Sequence, residues 1–135
     1  MSRLKLILAI AAVLFGAAGV VPASATTLAL NPTVSSTRWD YEKTFSQPGE
    51  YDPPIVVTTT GGTAPYSCAW QKVGGDPYQT AASPNSCSTI FNRPLGGIHH
   101  TFYCEAGWVA VVTDATGATA QTPVVVASYY WELGD

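Results

Sequence analysis

Gly61-Gly62-Thr63-Ala64-Pro65-Tyr66-Ser67-Cys68-Ala69-Trp70 is the stretch whose reading decides how this chain folds. Thr58-Thr59-Thr60 run into a Gly-Gly pair, which permits a tight turn, and Pro65-Tyr66 restart the chain in extended form. Cys68 and Trp70 then stand two residues apart, on one face of the strand that follows. A turn and strand of this kind carry a chain from one sheet to another. The stretch predicts an architecture and says little about chemistry.

Outward from it the pattern continues. Ile55 to Thr60, β-branched at every position, reads as the strand before the turn, and Tyr66 to Val73 as the strand after it. Upstream, Leu28 to Val34 reads as a first strand whose Pro32 suits an edge. In Arg38 to Phe45, Trp39, Tyr41, Lys43 and Phe45 alternate with Asp40, Glu42 and Thr44, which predicts a second strand. Gln47 to Pro54, with three prolines and a glycine, is expected to be a loop. Downstream, Gly74 to Asn85 is loop-like with a short edge strand near Tyr78 to Ala81, and Cys87 to Asn92 is a short strand. Trp108 to Thr113 and Ala118 to Val126 flank Asp114-Ala115-Thr116-Gly117, a hairpin turn. Nothing beyond residue 25 repeats apolar residues at helical spacing over a useful length. Short strands at this density predict an all-β sandwich of seven to eight antiparallel strands.

The first 25 residues read as a cleaved signal peptide. Arg3 and Lys5 precede an apolar run from Leu6 to Val21, and Ala23-Ser24-Ala25 supplies small residues for cleavage. The run is short against the roughly 20 residues that span a bilayer, so no membrane insertion is expected once the signal is removed. Residues 26–135 then form a single domain. All nine acidic residues lie in that part with only four of the six basic ones, a net charge of −5. With no basic cluster, nucleic acid is not an expected partner. The chain is expected in the periplasm or secreted.

Together, Gly61–Trp70 and Val111-Val112-Thr113-Asp114-Ala115-Thr116-Gly117-Ala118-Thr119-Ala120 resemble bacterial and phage immunoglobulin-like domains. In that family a Gly-Gly-x-x-Pro-Tyr-x-x-x-Trp turn and strand is followed by a Val-Thr-Asp-x-x-Gly-x-x-Ala hairpin. Ser83-Pro84 and Thr89-Ile90-Phe91-Asn92-Arg93 resemble its middle strand, so the likeness runs roughly from Ile55 to Val126. It implies an immunoglobulin-like sandwich serving as an adhesive, structural or protein-binding module. One position departs from the pattern. The core cysteine usual in the penultimate strand is Ala110 here, and Trp108 stands where the corner tyrosine would be. The familiar cross-sheet disulfide therefore does not carry over.

Three cysteines in an exported chain imply one bridge and one remaining thiol. In an immunoglobulin-type sandwich Cys68 and Cys87 begin strands at the same end, on facing sheets, which favours that pair. Cys68–Cys104 and Cys87–Cys104 stay open. Cys104 left free would allow a disulfide-linked dimer.

Sites of chemistry are sparse. His99-His100 have Cys104 and Glu105 nearby, but neighbouring residues on a strand point to opposite faces, so no metal is expected. No nucleophile elbow, phosphate loop or facing carboxylate pair is visible; no catalytic residue and no cofactor is assigned, and no enzyme is expected. The aromatic residues are the better lead. Trp70 and Trp108 are expected in the core. Trp39, Tyr41, Tyr129, Tyr130 and Trp131 are the candidates for a binding surface, for a protein or, alternatively, a glycan. Their plainer role is to cap the open ends of a small core.

Overall fold

The computed structural model describes residues 28–95 and 100–132. The segment expected to be a signal peptide and His99 lie outside them. Eleven strands follow in chain order: β1 (Asn31–Val34), β2 (Arg38–Lys43), β3 (Glu50–Tyr51), β4 (Ile55–Thr60), β5 (Ser67–Gly75), β6 (Thr80–Ala81), β7 (Ser88–Thr89), β8 (Phe91–Asn92), β9 (Phe102–Thr113), β10 (Thr119–Gln121) and β11 (Val125–Trp131). The described residues are all-β, with no helix. They build a three-stranded sheet β1-β4-β7, a six-stranded sheet in which β10-β9-β11-β2-β3 is joined by β5 on β9, and a small pair β6-β8. Every pairing is antiparallel except β2 with β11, which is parallel.

Strand period explains which side of each sheet is buried. In β4, Ile55 and Val57 are buried and Val56 and Thr58 are exposed. In β5, Cys68 and Trp70 turn inward. In β9 the inward positions are Ala106, Trp108, Ala110 and Val112. Phe91 is fully buried among three indoles, with ring centroids 5.5 Å from Trp39, 5.6 Å from Trp70 and 5.2 Å from Trp108. Such contacts add about 0.5–1.5 kcal/mol per pair beyond the area buried. Trp70 lies opposite Ala110 across the strand pair, so the small side chain leaves room for the large one.

The opening motif and the hairpin prove to be one structure. Gly61 and Gly62 have φ of 72° and 61°, and a Cβ at Gly61 would run into the carbonyl oxygen of Ala29. This turn aims Thr63 N–H at Asp114 Oδ2, 2.9 Å away, while Ala115 N–H donates to Thr63 O at 2.8 Å. Asp114 Oδ1 accepts from Thr116 N–H, the Thr116 hydroxyl and Ala118 N–H, closing its own turn. The Thr116 hydroxyl first, then these backbone donors, hold the Asp114 carboxyl below its ordinary pKa.

Cys68 and Cys87 are bridged, with Cα atoms 5.0 Å apart. Cys68 belongs to the six-stranded sheet, and Cys87 sits beside the three-stranded one, where its carbonyl accepts from Val57 N–H at 2.8 Å. The bridge closes a short loop, worth about 3 kcal/mol in the chain-entropy account. Cys68 faces Val112, eight residues along β9 from Cys104, or roughly 26 Å at strand rise. No rotamer spans that distance.

Several boundaries differ from expectation. The segment Gln47–Pro54 is not wholly loop: Glu50–Tyr51 pair with Tyr41 and Glu42 as β3. β9 begins six residues before Trp108, because Tyr129-Tyr130-Trp131 extend β11 and give Phe102–Cys104 a partner. Cys104 is therefore inside a strand. The strand expected over Cys87–Asn92 breaks at Ile90, whose carbonyl accepts from Ala82 N–H and the Thr89 hydroxyl. Its halves join different sheets. Ala118–Val126 is likewise split. Pro123 has no N–H for the ladder, and Thr122 bonds Ala110 through both its N–H and its hydroxyl.

A candidate binding face on the six-stranded sheet

The aromatic candidates separate once the sheet is formed. Trp39, Tyr41 and Tyr129 are buried, at 0%, 5% and 4% exposure, so these three belong to the core and not to a binding surface. Alternation grouped them correctly but could not say which face is inside. The parallel β2–β11 pairing turns both faces inward, and Tyr41 and Tyr129 stack with centroids 4.2 Å apart. Burial first, and then the neighbouring Tyr51 hydroxyl, raises the Tyr129 pKa above its ordinary value. Trp131 is half-buried beneath the Lys43 ammonium, 4.1 Å above its ring. Trp70 and Trp108 are core residues as expected.

Tyr130 alone stays on the outer face. It lines a groove of about 440 Å³ together with Arg38, Asp40, Glu42, Tyr103 and Ser128. β2 presents Arg38, Asp40 and Glu42 because Trp39 and Tyr41 face inward. Asp40, Ser128 and Glu105 stand in one cross-strand row, and Glu42, Tyr130 and Tyr103 in the next. The first row is closed by Arg38. Its Nε donates to Asp40 Oδ2 at 2.9 Å, its Nη2 donates to Ser128 Oγ at 3.0 Å and lies 3.8 Å from Glu105 Oε1. Ser128 Oγ and the Tyr103 hydroxyl both donate to Glu105.

These bonds set the charge states. Hydrogen bonding to Asp40, then its charge, raises the Arg38 pKa. The Tyr103 hydroxyl, then Ser128, lowers that of Glu105. Both groups are held ionised. Asp40 Oδ1 is enclosed and has no hydrogen-bond partner among the described residues.

A second polar cluster lies at the same end of β9, on its core-facing side. Arg93 Nε donates to Asp76 Oδ2 at 3.0 Å, and its guanidinium lies 4.8 Å from the Tyr78 ring centre and 5.0 Å from that of Phe102. Burial would raise the Asp76 carboxyl, but Arg93 and the Tyr78 N–H outweigh it and hold it below its ordinary value. Burial, followed by the Asp76 carboxylate, pushes the Cys104 thiol up to about 12. A thiol so held is a poor nucleophile near neutral pH.

Cys104 packs against the core and Glu105 is bonded on the outer face, so the two diverge. Among the described residues no three His, Cys, Asp or Glu side chains gather as a metal site.

Tyr103 and Ser128 were missed from sequence, and Glu105 was weighed only beside the histidines, because the strand was expected to begin at Trp108. The alternation of Arg38, Asp40 and Glu42 was the available signal for an outward charged face. No protein-family model, curated protein or solved structure matches the chain.

Proposed function

We propose that this chain is an exported, non-enzymatic immunoglobulin-like module that holds a partner protein against the outer face of its six-stranded sheet. The observation that carries the reading is the groove at Arg38, Tyr103 and Tyr130: concave, partly aromatic and built on strands, not on loops. Two features support the immunoglobulin-like assignment. β1-β4-β7 stand opposite β5-β9-β11, an order that corresponds to first, second and fifth strands against third, sixth and seventh. β2 then continues the first strand onto the other sheet, parallel to the last. The third-to-fifth-strand position of the Cys68–Cys87 bridge is this chain's departure from the family's usual second-to-sixth pairing. The bridge itself is compatible with an oxidising, extracellular or periplasmic location. Arg38 and Glu105, both fixed in their charged forms, are poorly matched to proton transfer near neutral pH, which supports binding over catalysis.

Site-specific photocross-linking tests the surface. A benzophenone side chain at position 130 should form a discrete adduct in cells producing the chain, and one at position 56, on the outer face of the other sheet, should not. Equal labelling at both positions would reject the face. A glycan remains a second reading, because Tyr103 and Tyr130 lie opposite each other across adjacent strands as a ring platform. A blue shift and saturation of tryptophan fluorescence with any member of a glycan panel would favour it.

A further inference from the structure

We infer that the groove takes an extended, lysine- or arginine-bearing segment of the partner protein; this rests on the sheet face being the binding surface. The 440 Å³ groove and an adjoining cleft of about 230 Å³ share Glu42 and Thr44, so they form one trough. Across it runs a row four strands wide, Glu50–Glu42–Tyr130–Tyr103, each residue opposite the next. Three strand spacings make this row roughly 14 Å long, about the length of four extended residues.

The chemistry of the row is one-sided. Glu42 and Glu50 stand directly opposite each other on β2 and β3, an arrangement that like charges disfavour. Among the described residues neither carboxylate is within ion-pair distance of a cation; the ion pairs are Arg38 with Asp40 and Glu105, and Arg93 with Asp76. Lys43, next to Glu42 in sequence, sits over Trp131. Arg38, the cation of the groove, is already committed to Asp40 and Ser128. What the trough still offers is therefore the carboxylates of Glu42 and Glu50 and the faces of two tyrosines. A neutral sugar needs donors as well as acceptors, and an acidic segment is repelled. An ammonium or guanidinium group satisfies both halves of the row, by charge at Glu42 and Glu50 and by cation–π contact at Tyr130 and Tyr103.

The test is titration of the isotopically labelled protein with tetralysine, tetraglutamate and maltotetraose, followed by amide chemical shifts. Tetralysine should bind saturably, shifting residues 40–44, 50, 103 and 130, and weaken several-fold between low and high salt. The double variant Glu42→Gln/Glu50→Gln should weaken it about tenfold, and Tyr130→Leu about threefold. The four side chains are exposed or half-buried, and unchanged urea midpoints would show that the fold is kept. Tetraglutamate or maltotetraose moving these resonances in place of tetralysine would keep the sheet face and overturn the basic ligand. Tetralysine binding that ignores the double variant, or silence of the trough toward all three probes, would also overturn it.

Discussion

Two arginine–carboxylate pairs in this molecule have nearly the same geometry and different consequences. Arg38 and Asp40 are 2.9 Å apart with side chains 57% and 41% exposed; Arg93 and Asp76 are 3.0 Å apart with side chains 12% and 9% exposed. Water competes for the first pair and screens it, so its contribution to stability is small. The second pair is walled by Tyr78, Phe102 and Cys104, and breaking it leaves a charge with little water to solvate it. Distance alone does not rank ion pairs; surroundings do. The exposed pair lies in a groove where its atoms can meet a ligand. The enclosed pair ties the β5–β6 and β8–β9 connections together.

The sharpest way to break this contrast is Arg93→Ala. It should cost about 3 kcal/mol in urea unfolding, because Asp76 then loses its counter-charge in a low-dielectric setting. Arg93→Lys should recover only part, since an ammonium cannot lie flat between two rings. A cost too small to resolve would mean that water reaches the cluster freely.

Cys104 reports on the same enclosure. Its reaction with a disulfide reagent at pH 8 should be about a hundredfold or more slower than that of the urea-unfolded chain, since the thiolate is the reacting form. Comparable rates would show an open site. The slow reaction would also weigh against a dimer linked through Cys104.

The pH dependence follows with opposite signs for the two groups. The folded Cys104 pKa lies above its unfolded value, so its contribution is fully present below about pH 9 and is lost as pH rises toward about 12. Cys104→Ala should flatten that alkaline loss in a thermal melt. The folded Asp76 pKa is depressed, so its contribution is present above about pH 4 and is lost as pH falls through the folded value. Arg93→Ala should remove part of that acid sensitivity. The smallest expected effect is Arg38→Ala, which should leave the urea midpoint unresolved from the parent at moderate salt. A clear loss there would place the exposed groove, against the comparison, among the stabilising parts of the fold.

Much of this architecture was readable in the chain. Ile55–Thr60 forms a strand over the very residues whose β-branching marks it. Cys68 and Trp70 face the core because a two-residue period requires a shared face. The candidate site was less legible. Trp39, Asp40, Tyr41 and Glu42 alternate plainly, yet alternation is symmetric between inside and outside. Trp39, Tyr41 and Tyr129 could serve a binding surface or cap the core, and the core took them, because burying such large side chains removes much apolar surface from water. Tyr103 was lost for another reason: its strand exists only because β11 lies beside it.

The sequence by itself determined the local terms: an all-β chain, the Gly61-Gly62 turn, the Asp114 hairpin, and which side chains share a strand face. These follow from φ/ψ preferences and a period of two, which act within a few residues. Only the tertiary structure decided which face is buried, that Thr63 and Asp114 meet, that Cys68 reaches Cys87, and that one Arg–Asp pair is enclosed while the other is open. Those outcomes depend on strands far apart in the chain packing together, and solvent exclusion is a property of the packed sheets and not of any single segment.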